Sequence, residues 1–131
     1  MAVIERFDVE DEASFQTALL HVKSRLITAG FSSIEASRFL TAVSELARNI
    51  LKYADKGWLE VNQVQRLNRK GIKVAAVDQG KGIEDIPLAM SDSYSSSGTL
   101  GQGLPGAKRL VDEFDIESSS QGTRVTIVSW C

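Results

Sequence analysis

The stretch SSIEASRFLTAVSELARNILKYA, Ser32 to Ala54, decides the fold. Ser32 followed three residues later by Glu35 is a capping-box pattern, a helix start in which each side chain satisfies a backbone N–H of the other's residue. Behind it Ala36, Leu40, Val43, Ala47 and Ile50 recur every three or four residues, the period of one inward helix face. Glu45 and Asn49 lie four apart on the same helix and share a face. Asn49 also falls on a partly apolar line with Phe39, Ala42, Leu46 and Tyr53, and a carboxamide buried there needs a partner. An amide oxygen as ligand and a carboxylate as base suit a magnesium site; the same pair also suits an exposed polar face. Arg48 and Lys52, beside them, fit a polyphosphate and fit a solvated face as well.

Upstream, Phe15, Leu19, Val22, Leu26 and Ala29 predict an earlier helix that stops at Gly30, preceded by a short strand over Ala2–Val9. Downstream, Asp55-Lys56-Gly57 turns the chain. Trp58–Gln65 alternates as a strand, with Leu59, Val61 and the aliphatic part of Gln63 on one side. Asn68–Gly71 reads as a hairpin turn into a strand over Ile72–Val77. From Asp78 to Gly103 the chain is rich in Gly and Ser, long for a loop in so small a domain, and loops of that length tend to be functional. Helical spacing returns over Leu104–Phe114. Ile116–Ser118 and Arg124–Trp130 close the chain as strands joined at Gln121-Gly122. The expected fold is an α+β two-layer sandwich: a mixed, mostly antiparallel sheet with three helices on one face.

The 131 residues fit a single domain, and 43% hydrophobic with 24% charged residues is an ordinary globular composition. A net charge of −2 provides no basic field for nucleic acid. The single cysteine, Cys131, offers no disulfide framework and suits a reducing compartment. No stretch has the length and apolarity of a membrane span. The expectation is a cytoplasmic protein.

Two more segments carry chemistry. Asp78-Gln79-Gly80-Lys81-Gly82 follows the Ile72–Val77 strand directly. An acid at a strand end can accept hydrogen bonds from an exocyclic amine such as adenine's, and glycines let backbone approach a flat ring; a plain Asp-Gly turn reads the same way. Gly98-Thr99-Leu100-Gly101-Gln102-Gly103-Leu104 leads into the third helix and offers backbone N–H groups to an anion. It is neither a dinucleotide fingerprint nor a Walker loop, because no strand leads into it and no Gly-Lys-Ser/Thr follows. Ser91, Ser93, Ser95, Ser96, Ser97 and Thr99 crowd the loop between, as in a mobile lid or a merely solvated loop. His21, the lone histidine, reads as a helix-surface residue, and one histidine excludes a His-rich metal site.

Taken together, the segments resemble the GHKL ATPase family, whose ATP-binding fold is the Bergerat fold. Ser44-Glu45-Leu46-Ala47-Arg48-Asn49-Ile50 resembles its N box, Asp78–Gly82 its DxGxG box, Gly101-Gln102-Gly103-Leu104 its GxGL box, and Gly122-Thr123 its closing Gly-Thr. Within the family the chain is similar to the bacterial anti-sigma-factor/serine-kinase branch, and closest to the stressosome switch serine/threonine kinases. The phrases Gly103-Leu104-Pro105-Gly106 and Asp112-Glu113-Phe114 carry that closer match. The resemblance implies ATP and Mg2+ as cofactors. It implies Asn49 as the Mg2+ ligand and Glu45 as the catalytic group that takes or orients the acceptor proton. Lys52 would touch phosphate. Asp78 would hold the adenine amino group, with Gly80 and Gly82 at the ring and Thr123 supporting the same pocket. Gly101, Gly103 and Leu104 would hold phosphate, and Arg48 would serve at the phosphates or at a partner surface. No Lys or Arg lies between Gly82 and Lys108, so charge from that segment is not on hand for the phosphates.

The implied activity is transfer of the ATP γ-phosphate to serine or threonine of STAS-domain scaffold and antagonist proteins, followed by release and activation of a PP2C-type phosphatase. The alternative is an anti-sigma factor that sequesters a sigma subunit. A sensor histidine kinase domain fits less well, since no dimerising helix pair bearing a phosphoacceptor histidine is present.

Overall fold

A computed structural model describes residues 3–54, 56–80, 82, 90 and 103–131. Their elements run β1 (Glu5–Val9), α1 (Glu12–Ala29), α2 (Ser33–Tyr53), β2 (Gly57–Arg66), β3 (Arg69–Asp78), α3 (Gly103–Arg109), β4 (Glu113–Ser119) and β5 (Gly122–Trp130). The strands form one sheet in the order β1-β2-β3-β5-β4. Every described neighbouring pair is antiparallel, so the mixed sheet anticipated from sequence is antiparallel throughout the described strands.

Local signals set the helix ends. Asp11 caps α1, accepting from the Ser14 amide, and Gly30 ends it at φ 101°, a left-handed conformation glycine adopts freely. Ser32 and Glu35 form the capping box of α2, and the helix closes at Ala54. The buried faces of α1 (Phe15, Ala18, Val22, Leu26, Ala29) and α2 (Ala36, Phe39, Ala42, Val43, Leu46, Ala47, Ile50) meet Leu59, Val61, Ile72, Val74, Ala76, Val125 and Ile127 of the sheet in one core. Alternation along each strand puts those residues on one side. The other side carries polar and aromatic residues beside the buried Ala75, Val77 and Val128. There the Arg6 guanidinium lies 3.9 Å from the Trp58 ring centroid. The Trp58 indole donates to Glu60 at 2.9 Å, and Arg124 donates to the same carboxylate at 2.9 Å.

The closing hairpin turns at Ser120-Gln121 rather than Gln121-Gly122, because Gly122 pairs with Ser119 at the start of β5, and four further details depart from the sequence reading. β1 starts at Glu5; Val3 and Ile4 are exposed outside it, and Ala2 lies outside the described residues. Gln63 is exposed, because β2 has run past β1, whose register ends with Glu5 opposite Val61. The hairpin turn is Leu67-Asn68 rather than Asn68–Gly71, with Arg66 paired to Arg69. The third helix ends at Arg109, not Phe114. Asp112 stops it through tertiary bonds: its amide donates to the Val128 carbonyl at 3.0 Å and to Ser129 Oγ at 3.2 Å, and its carboxylate accepts from the Trp130 amide at 2.8 Å. Phe114 therefore packs from β4.

Leu67 holds φ 53° at the hairpin tip and is 91% exposed. That conformation costs an L-residue energy that glycine avoids, and the side chain gains no burial in return. Leu67→Gly is therefore expected to raise unfolding free energy by about 0.5–1 kcal/mol, read as a higher denaturant midpoint at unchanged slope. A lower midpoint would show that the turn is not strained.

Candidate nucleotide site

The site is built on one row of residues across the sheet. The strand registers pair Val9 with Gly57, Gly57 with Asp78, Asp78 with Thr123, and Thr123 with Ser118. Residues paired across a ladder share a face. Gly57 identifies that face as the helix side, because a Cβ there would sit 2.9 Å from Ile50 Cγ2 of α2. A carboxylate and two hydroxyls thus stand side by side at one end of the sheet, beneath the C-terminal half of α2.

Glycines close the backbone over this row. The Gly80 amide donates to Asp78 Oδ1 at 2.9 Å. A Cβ on Gly80 would lie 2.9 Å from Ala54 Cβ, so the Asp78–Gly80 turn is seated against the end of α2. Gly82, at φ 86°, runs so close to β4 that a Cβ would collide with the Ser119 carbonyl; Gly122 crosses Asp78 equally tightly. Ser118 Oγ and Thr123 Oγ1 are 2.7 Å apart. Of this group the sequence singled out Asp78, Gly80, Gly82 and Thr123. It missed Ser118, which sits in no motif and is brought in only by register.

Two turns of helix away lies the second cluster. Glu45 is 8% exposed, a rare burial for a carboxylate. It accepts a hydrogen bond from the Gly103 amide at the start of α3, against which α2 packs. Burial pushes its pKa above the ordinary value, opposed in part by that amide and by the charge of Arg48. Asn49, half-buried, follows one turn on, and exposed Lys52 nearly another, with its ammonium 5.2 Å from the Tyr53 ring centroid. Arg48 points to the other flank of α2, its guanidinium 4.5 Å from the centroid of the Phe15 ring on α1. Leu104 is buried behind Gly103.

A helix rise of about 1.5 Å per residue puts Glu45 roughly 13 Å from Ala54. The two clusters are thus joined by α2 along one side of the sheet and suit an elongated ligand with a polar flat end and an anionic end. Among the described residues no group of three or more His, Cys, Asp or Glu gathers to hold a metal. Mg2+ needs no such cage: it draws most ligands from phosphate and water and takes one or two from protein, which the carboxamide of Asn49 beside the carboxylate of Glu45 can supply. Gly101 and the Ser-rich lid from Ser91 to Thr99 lie outside the described residues. A groove of about 640 Å³ between α1 and β2, lined among others by Val3, Arg25 and Gln63, holds none of the residues named for the site.

Comparison with known proteins follows the same lines. Residues 9–129 match the family model described as the histidine kinase-like ATPase domain. The chain is 49% identical over 102 residues, 77% of each chain, to the serine/threonine-protein kinase RsbT of Bacillus subtilis. It is 28% identical over 102 residues, 73% of this chain and 71% of the relative, to an anti-sigma F factor of Caldanaerobacter subterraneus. A crystal structure of RsbU and RsbW domains from Mycobacterium tuberculosis superposes on 98% of the chain with a TM-score of 0.67 at 16% identity. The chain spans 32% of that structure's length, and the likeness is one of fold.

The raised pKa of Glu45 carries a stability consequence. The folded protein binds this proton more tightly than the unfolded chain, whose glutamates titrate near ~4.3. Ionised Glu45 therefore weighs against folding, and increasingly so as pH rises from the unfolded pKa through the folded one. Glu45→Gln should match the wild type in Tm at a pH of about 4 and exceed it at neutral pH, the gap opening between. A gap independent of pH would mean that the carboxylate is not penalised by burial.

Proposed function

We propose, from the premise that the chain belongs to the histidine kinase-like ATPase domain family, that it is an ATP-dependent serine/threonine protein kinase acting as a partner switch. The observation that carries the reading is the buried carboxylate of Glu45, one turn from the Asn49 carboxamide and on the same helix that seats the Asp78–Gly80 turn. Likeness to RsbT of Bacillus subtilis supports it over three quarters of the chain.

In this reading residues 1–131 act as one ATP-binding domain. Asp78 accepts from the adenine amino group, and Gly80 and Gly82 bring backbone to the ring, with Thr123 beside them. Gly101, Gly103, Leu104 and Lys52 serve the phosphates. Asn49 holds Mg2+, which when bound neutralises phosphate charge. Glu45, with its raised pKa, takes the proton of the acceptor hydroxyl as that oxygen bonds to the γ-phosphorus and the bond to the β-phosphate oxygen breaks. Positioning and charge neutralisation supply most of the rate in such transfers. Arg48, its guanidinium 4.5 Å from the Phe15 ring centroid and its charge acting on Glu45, serves at the phosphates or at a partner surface.

The acceptors we propose are STAS-domain scaffold and antagonist proteins of a stressosome. Once released from the scaffold, the kinase binds and activates a PP2C-type phosphatase in the cytoplasm. The likeness to anti-sigma F factors favours a second reading, sequestration of a sigma subunit by a nucleotide-braced surface.

Incubation with Mg-ATP and a STAS-domain partner should yield phosphoserine or phosphothreonine. Glu45→Ala and Asn49→Ala should each lower transfer by about 100-fold or more with the fold intact by circular dichroism. Full activity in either variant would remove the assigned role. Capture of a sigma subunit with no phosphorylation of any STAS partner would transfer the case to the second reading.

A further inference from the structure

We propose that Ser118 is a positioning residue of the base pocket: it donates its hydroxyl proton to Thr123 and so frees the Thr123 proton for the purine. The inference rests on the nucleotide reading above and goes beyond it in assigning a residue outside every recognised motif.

Three facts place Ser118 there. It is the cross-strand partner of Thr123, which is the partner of Asp78, so the three side chains share one row and one face. Its Oγ lies 2.7 Å from Thr123 Oγ1, a hydroxyl–hydroxyl bond in which either atom can be the donor. A Cβ added to Gly82 would fall 3.1 Å from Ser118 Oγ, so the serine also lies beneath the glycine turn that borders the pocket.

The direction of the bond follows from the ligand. Adenine offers an amino donor and, next to it, the ring nitrogen N1, an acceptor. The Asp78 carboxylate only accepts, which suits the amino group. The position beside it must then donate to N1, directly or through one water. Thr123 has a single proton. If that proton turns outward to N1, the Thr123 oxygen keeps a lone pair facing Ser118, and Ser118 fills it. Without Ser118 the Thr123 hydroxyl rotates freely, and its bond to the base loses its supporting donor.

The experiment compares Mg-ATP with Mg-1-deaza-ATP, which lacks the N1 acceptor, by titration calorimetry on the full chain. The wild type should prefer ATP. Ser118→Ala should weaken ATP by about 3- to 10-fold, the range of one hydrogen bond, and leave 1-deaza-ATP within about 2-fold. Ser118→Thr should restore the wild-type preference. In a Thr123→Val background, Ser118→Ala should change neither affinity. If Ser118→Ala does not fold, Ser118→Cys keeps the volume with a poor donor and reads the same ratio. Equal loss of both nucleotides, or no loss of either, overturns the proposal while leaving the nucleotide reading standing. Failure of the wild type to bind Mg-ATP at all sinks that reading instead.

Discussion

The register of five antiparallel strands is the constraint on which the site depends. Successive strand side chains point to opposite faces, so a slip of one residue would carry Asp78 and Thr123 to the side occupied by Arg6, Trp58 and Glu60. Burial prevents that slip. Leu59, Val61, Ile72, Val74, Ala76, Val125 and Ile127 must all face the helices, and moving a strand by one position turns that packed set away from them. The chemistry at the end of the sheet is held in line by hydrophobic residues that take no part in it.

Helix α2 is the second determinant, and it combines two roles that conflict. Its apolar face fills the centre of the core, with Phe39, Ala42, Val43, Leu46 and Ala47 at or near zero exposure. Glu45 stands within that run and is drawn into the interior with it. A helix cannot bury positions 42, 43, 46 and 47 and hold position 45 fully in solvent when α3 packs alongside. The carboxylate is left with the Gly103 amide as its partner and a pKa raised by desolvation. A buried carboxylate breaks a local rule, and departures of that kind are expected at functional sites.

Much of this was legible in the sequence, for identifiable reasons. Both long helices announced themselves through agreeing local signals: in α1 the spacing from Phe15 to Ala29 with the stop at Gly30, in α2 the Ser32–Glu35 cap with the spacing from Ala36 to Ile50. Asp78 was legible from its place at a strand end ahead of Gly80 and Gly82, and Thr123 only through the resemblance of Gly122-Thr123 to the family's closing Gly-Thr. The misreadings arose where tertiary bonds overrode local pattern. Leu110, Val111 and Phe114 continue a helical period, yet Asp112 is tied to Val128, Ser129 and Trp130 of β5, and that anchor turns the chain into β4. Leu67 sits in a turn that favours glycine, so nothing in its type marked it as the hairpin tip. Ser118 reads as the last residue of a closing strand but belongs to no motif, and only its pairing with Thr123 across β4 and β5 distinguishes it.

The buried carboxylate also bears on which of the two readings the fold favours. A module that uses nucleotide only to brace a binding surface needs the Asp78 row and an anion-binding end, and both work with a neutral residue at position 45. Such a module would gain by shedding the charge, since desolvation of Glu45 weighs against the folded state at neutral pH. Phosphoryl transfer gives the same group a purpose. A carboxylate with a raised pKa is a better proton acceptor than an exposed one, and its bond to Gly103 ties its position to the last glycine of the Gly-rich motif, where α3 begins. The penalty borne by this side chain is understandable in an enzyme and unneeded in a clamp.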